Sequence, residues 1–193
     1  MPLLQIMPDD EPAQIRLRTQ DPAEIGRALA ALGVRFERWT ARQLPDGADS
    51  AAVLEAYRDE VDRLCKAGGF RLVDVARMVP DDDDPQWPAT ARAAREKFLD
   101  EHTHAEGEVR FFVAGSGCFY LHVDGNVYAV VCEAGDLMSV PENTRHWFDM
   151  GERPQFTAIR FFQEEDGWIA DFVPDSIARR FPTLDQLRSA AVR

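Results

Sequence analysis

Cysteine is scarce: Cys65, Cys118 and Cys132 are the only three in 193 residues. They are too few and too scattered for a disulfide framework or a zinc ribbon, and they fit a reducing, cytoplasmic setting. Lysine is nearly absent, with Lys66 and Lys97 standing among arginines. Base is outweighed by acid, 22 Lys and Arg against 34 Asp and Glu, for a net charge of -12. Such a chain repels phosphate backbones, so general nucleic-acid binding is not expected. No stretch approaches the roughly 18 consecutive apolar residues of a membrane span. The first residues lack the basic start of a secretory leader and run directly into Asp9-Asp10-Glu11.

What is present is ordinary for a globular domain, at 45% hydrophobic and 29% charged residues. This length supports one domain whose core needs no staples. Two strands are expected at residues 3–7 and 14–19. Asp21-Pro22-Ala23-Glu24 reads as a capped helix start, with Glu24 placed to close a capping box, and Gly33 as the stop. A second helix is expected over residues 51–65, an extended segment over 70–79 and a third helix over 89–99. The run Asp81-Asp82-Asp83-Asp84 reads as a solvated loop.

From residue 101 the pattern changes to short apolar strands punctuated by glycine turns. Strands are expected over 109–113, 118–123, 127–132, 137–140, 146–149 and 156–162, with Asp124-Gly125-Asn126 as a hairpin turn. Such spacing predicts a mainly β fold with flanking helices, of the jelly-roll β-barrel kind. The N-terminal strands and helices would occupy about residues 1–100 and the barrel core about 101–162. Short helices over 175–180 and after Thr183 would close a single domain spanning 1–193.

The chain has four histidines. In an extended segment residues two apart face the same side, so His102 and His104 can present both imidazoles together. Glu108 lies on the same parity at the start of a strand, and His146 follows a second turn. Three imidazoles and a carboxylate suit a divalent transition metal such as iron or nickel, and two positions of an octahedral ion would stay open for substrate. Zinc is disfavoured by the four protein donors. His122 shares a strand face with Cys118 and Tyr120, opposite Phe119 and Leu121, and is left outside this set.

These residues resemble the first cupin motif: His102-Thr103-His104, then Glu108, then Gly115. Gly135, Pro141 and His146 resemble the second. Asn143 stands where many cupins have glycine, Met150 where many have asparagine, and Glu96 where a further glycine is expected. Longer strings are more specific. Lys97-Phe98-Leu99-Asp100-Glu101-His102-Thr103-His104, Glu108-Val109-Arg110-Phe111-Phe112-Val113 and His146-Trp147-Phe148-Asp149-Met150-Gly151 resemble the acireductone dioxygenases. Gly33-Val34-Arg35-Phe36-Glu37-Arg38-Trp39, Phe156-Thr157-Ala158-Ile159-Arg160 and Gly167-Trp168-Ile169-Ala170 extend the likeness over about residues 14–181.

The resemblance implies a cupin fold and an enzyme of methionine salvage. Its small-molecule substrate would be an enediol conjugated to a ketone, with a methylthioethyl tail, cleaved by dioxygen. It implies Fe2+ or Ni2+ at one site held by His102, His104, Glu108 and His146. The iron form would give formate and the oxo-acid precursor of methionine; the nickel form would give methylthiopropanoate, formate and carbon monoxide. A monomer is expected from the resemblance and from the lack of heptads.

Arg110 shares parity with Glu108 and could stabilise an enediolate. Arg160, charged on an otherwise apolar strand face, needs a partner: an acid, a group behind the ligands or the substrate. Glu101 could orient a ligand or act as a base, although its parity sets it opposite His102. Phe98, Phe112, Phe148 and Trp168 are candidate walls for the thioether tail. Cys118 and Cys132 read as buried small hydrophobes. Another cupin reaction, a different dioxygenase or an isomerase, and a non-catalytic ligand-binding cupin stay open as alternatives.

Overall fold

The computed structural model describes residues 1–45, 47–167 and 169–190. Two antiparallel sheets share one long strand. The first runs β11 (Asp171–Phe172), β5 (His102–Thr103), β9 (His146–Asp149), β6 (Glu108–Val123), β7 (Asn126–Glu133), β1 (Leu3–Pro8) and β2 (Leu17–Thr19). The second contains β3 (Arg35–Arg38), β8 (Asp136–Val140), β6, β10 (Phe156–Phe162) and β4 (Leu72–Met78).

The corner is inside β6. Its start, from Glu108, pairs with β8 and β10, and its end, from Ser116, pairs with β7. The two strands expected at 109–113 and 118–123 are therefore one strand of 16 residues. Gly115 makes the corner possible: its φ is 68°, and a Cβ there would run into the Gln155 backbone. Gly115→Ala should therefore cost about 2 kcal/mol or more, from left-handed strain plus the collision. Urea unfolding of the two proteins checks this, and an unchanged midpoint would reject it.

Between the sheets lies a core of Leu4, Leu29, Phe112, Phe119, Leu121, Val130, Met138, Phe148 and Phe156. The outer face of the second sheet is also apolar. There Val109, Phe111, Val113, Ile159 and Phe161 are covered by α2 (Ser50–Ala56) and α3 (Arg58–Gly68) through Val53, Tyr57, Val61 and Leu64. These two helices replace the single one expected at 51–65. The break is at Tyr57, whose ring is fully buried against Phe111 at 4.8 Å and whose backbone leaves the helical region.

The outer face of the first sheet is covered by the C-terminal segment. Cys118, Tyr120 and Trp147 pack under Ala178, Phe181, Leu184 and Leu187. The face of β6 that carries Cys118 and Tyr120 is thus a second core, and the strand reads as a nearly continuous apolar run for that reason. The last helix, α5 (Leu184–Ser189), is fastened by a capping box between Thr183 and Gln186. The expected helix over 175–180 is a single 3-10 turn, Ala178–Arg180.

Helix α1 (Pro22–Ala30) starts where expected, with the Asp21 carboxylate accepting from the Ala23 amide at 3.0 Å. The third expected helix is α4 (Trp87–Glu96). The hairpin turn falls on Asp124-Gly125, both at positive φ, as the β6–β7 connection requires. Asp82 in the acidic loop forms an exposed ion pair with Arg153. The N-terminal elements do more than flank the barrel, since β1, β3 and β4 are paired into its sheets. Among the described residues no helix is long and apolar enough to cross a membrane.

Candidate metal centre

Strand pairing assembles the histidines. His102 on β5 lies directly opposite His146 on β9, and β9 in turn pairs His146 with Leu121 of the inter-sheet core. Both imidazoles therefore point into the barrel. His104, two residues past His102, turns the same way: its ring centroid is 5.1 Å from that of His102 and 5.2 Å from that of His146. The three rings are buried, and each offers one nitrogen within 4.8 Å of the others. Glu108 joins them from the first position of β6. Its Oε2 is 2.9 Å from His146 Nε2 and 3.7 Å from His104 Nε2.

The tautomers are set by the backbone. Nδ1 of His102 donates to the Asp100 carbonyl at 2.8 Å, Nδ1 of His104 to the Ile169 carbonyl at 2.8 Å, and Nδ1 of His146 to the Thr144 carbonyl at 2.7 Å. A ring that donates from Nδ1 keeps the Nε2 lone pair for a metal. Burial, with the His146 ring beside it, pushes the His102 pKa down to about 4, so this ring is neutral near pH 7, the form that ligates. Burial works against the Glu108 carboxylate, but the Arg110 guanidinium and the His146 ring outweigh it and hold its pKa well below the usual range. Three imidazoles, each fixed through Nδ1, and an ionised carboxylate converging in a buried site fit a divalent transition metal.

Arg110 is two residues along β6 and equally buried. One of its nitrogens pairs with Glu108. Its guanidinium lies over the Phe148 ring at 4.8 Å and the Phe119 ring at 5.3 Å. Its Nε is buried and has no hydrogen-bond partner.

Arg160 lies directly opposite Arg110 in the ladder, and Asp74 lies directly opposite Arg160. Asp74 engages Arg160 through two bonds of 2.8 and 2.6 Å. An acid on β4 is therefore the partner that this charge needed, and the expected substrate contact is not required to account for it.

Phe148 and Phe112 are fully buried in the inter-sheet core beside these groups. Phe98 is half-buried, with its ring 6.2 Å from that of His102 and its carbonyl accepting from the Phe148 amide at 2.9 Å. Trp168 lies outside the described residues. Phe172 was not anticipated: it pairs with His102 across β5 and β11, and its half-exposed ring lies 5.5 Å from that imidazole. Strands of two residues leave no periodicity from which this approach could have been read.

Glu101 does not belong with the reacting groups. Its carboxylate is fully buried, with one oxygen 2.6 Å from His122 Nδ1 and the other accepting from the Ile177 amide at 2.8 Å. Arg145 adds a contact at 3.5 Å. With both oxygens engaged away from the ligand rings, the expected role as base is withdrawn. His122 stays outside the metal set, bridging Glu101 and Asp9. Cys118 and Cys132 are buried, and burial pushes both thiols up, which fits inert packing.

Comparison with known proteins agrees with this arrangement. The sequence profile of the ARD/ARD′ family matches residues 4–170. The chain is 59% identical over 187 residues to acireductone dioxygenase 1 of Nocardia farcinica, covering 97% of this chain and 99% of that one. It is 54% identical over 190 residues to acireductone dioxygenase of Saccharopolyspora erythraea, covering 98% and 100% of the two chains. A solved acireductone dioxygenase from Bacillus anthracis, with a cadmium ion in its active centre, superposes with a TM-score of 0.73 at 28% identity, covering 89% of this chain and 98% of that one. The sheets, the buried donor cluster and these likenesses agree that the chain belongs to the ARD/ARD′ family, that of the acireductone dioxygenases.

Proposed function

We infer that the chain is a metal-dependent dioxygenase that cleaves an acireductone with dioxygen. The observation that carries this reading is the buried convergence of three imidazoles, each fixed through Nδ1 to a backbone carbonyl, on one ionised carboxylate. His102, His104, Glu108 and His146 would hold Fe2+ or Ni2+. Once bound, the metal supplies a Lewis acid and a template for the oxygens of the enediol substrate.

The chain's own residues supply the rest. Glu108 contributes the negative charge that retains a divalent ion. Arg110, stacked on two rings and carrying an unpartnered buried N–H, is placed to stabilise the negative charge of the enediolate. Arg160 adds a second cation behind it, tempered by Asp74. Phe98, Phe112 and Phe148 provide apolar surface for a thioether tail and keep water from the reacting oxygens. Trp168 belongs to the same proposed wall on sequence grounds.

The iron form would divide substrate plus dioxygen into formate and the oxo-acid precursor of methionine. The nickel form would divide the same atoms into methylthiopropanoate, formate and carbon monoxide. Both forms use one ligand set, so metal supply would decide between them. The protein would act as a single chain in the cytoplasm.

Oxygen uptake tests the reading, with acireductone generated in the cuvette and metal-stripped protein compared with the same protein given iron(II). Uptake is expected to appear only after iron is added, rising by at least about a hundredfold. No uptake at one bound iron per chain would overturn it.

A further inference from the structure

Glu106 stands between two of the ligands assigned above, His104 and Glu108, and has no place in the ligand set. Its half-buried side chain reaches across to the turn after β10. Oε2 accepts from the Gln163 amide at 2.8 Å and from the Glu164 amide at 3.3 Å. Oε1 is buried without a hydrogen-bond partner and faces Gly167, where a Cβ would collide with the carboxylate. The turn is closed by its own bonds, Gly167 N–H to the Glu164 carbonyl at 3.3 Å and Ile169 N–H to the Asp166 carbonyl at 2.9 Å. Ile169 then presents its carbonyl to His104 Nδ1 at 2.8 Å.

These contacts form a circuit. The Glu106 carboxylate holds the turn, the turn carries the Ile169 carbonyl, and that carbonyl fixes the His104 ring two residues before Glu106. The carbonyls that hold His102 and His146 come from Asp100 and Thr144, each two residues before its histidine. His104 alone takes its carbonyl from a segment 65 residues away. Its ring is therefore fixed only as well as that segment is held. One carboxylate oxygen accepting from two successive main-chain amides ties the start of that segment to the stretch of chain that carries His104.

We propose that Glu106 is a positioning residue of the metal centre: by pinning the Gln163–Gly167 turn it places the Ile169 carbonyl that orients His104. This rests on His104 being a metal ligand. Groups that orient ligating histidines typically change metal affinity by about 10–100-fold when removed.

The test uses nickel-loaded protein challenged with excess chelator, following nickel release, with amide exchange read at Gln163 and Glu164. Glu106→Ala should release nickel at least about tenfold faster and exchange both amides faster. Glu106→Gln keeps an oxygen that can accept from both amides and should stay within about threefold of the parent. An unchanged release rate in Glu106→Ala, or equal acceleration in both variants, overturns the proposal. Should Glu106→Ala fail to fold, Gly167→Ala displaces the carboxylate from the turn and must speed release; unchanged release there also overturns it. His104→Ala separates the two readings. Nickel retained by that variant overturns the ligand assignment on which the proposal rests. Nickel lost there, with Glu106→Ala unchanged, overturns the positioning role alone.

Discussion

His146→Ala is expected to lose bound metal and turnover together. His146 is 2% exposed and faces His102 directly across the β5–β9 ladder. Its Nε2 lies 2.9 Å from the Glu108 carboxylate, against 3.7 Å for His104 Nε2. An alanine there leaves two imidazoles and a carboxylate, and among the described residues no neighbouring side chain of the right chemistry stands in: the remaining histidine, His122, is committed to Glu101 and Asp9. Metal content should fall from one per chain to near zero after dialysis. Oxygen uptake should fall by about a thousandfold or more, the scale of several kcal/mol of lost electrostatic stabilisation. Metal analysis and uptake on one preparation check both. A variant that keeps its metal and its rate would show that the ligand set is misassigned.

Arg110→Ala should separate the two properties. Arg110 is a cation beside Glu108, and burial pushes its own pKa down despite that partner. Removing a cation from beside a carboxylate leaves the carboxylate a better partner for another cation, so metal should stay near one per chain. What is lost is the guanidinium stacked on Phe148, with its unpartnered N–H. A buried donor aimed at developing negative charge is worth about a hundred- to a thousandfold in turnover. Arg110→Lys should not restore the rate, because an ammonium reproduces neither the planar stacking nor the fork of donors. Metal analysis beside steady-state oxygen uptake decides the matter. Metal lost along with activity would instead make Arg110 a support for Glu108.

The parts of this site that were legible in the sequence obey local rules. The alternation of an extended chain places His102 and His104 on one side, and the parity of β6 carries Glu108, Arg110 and Phe112 to one face. Strand positions in the barrel were readable where glycine turns bounded an apolar run, as at β7 between Gly125 and Gly135. The rest depended on pairing between distant segments. Asp74 reaches Arg160 because β4 joins β10, and Glu101 reaches His122 and Ile177 through neighbours 21 and 76 residues away. No window of sequence contains such pairs. Helix periodicity ran through Tyr57 because its fit against Phe111, which breaks the helix, is a tertiary matter. The helix expected over 175–180 shrinks to a single turn because the apolar residues of the C-terminal segment are spaced to cover the outside of a sheet, and not to line one helix.

The carbonyls behind the three imidazoles have a consequence for descent. Where a side chain orients a ligating histidine, two codons must survive together, and a substitution in the second disables the first. Here the orienting groups at positions 100, 144 and 169 are main-chain oxygens, which all twenty amino acids carry. Those positions can drift without disturbing the imidazoles, provided the chain keeps its course through them. The genetic burden shifts to the few residues that hold that course.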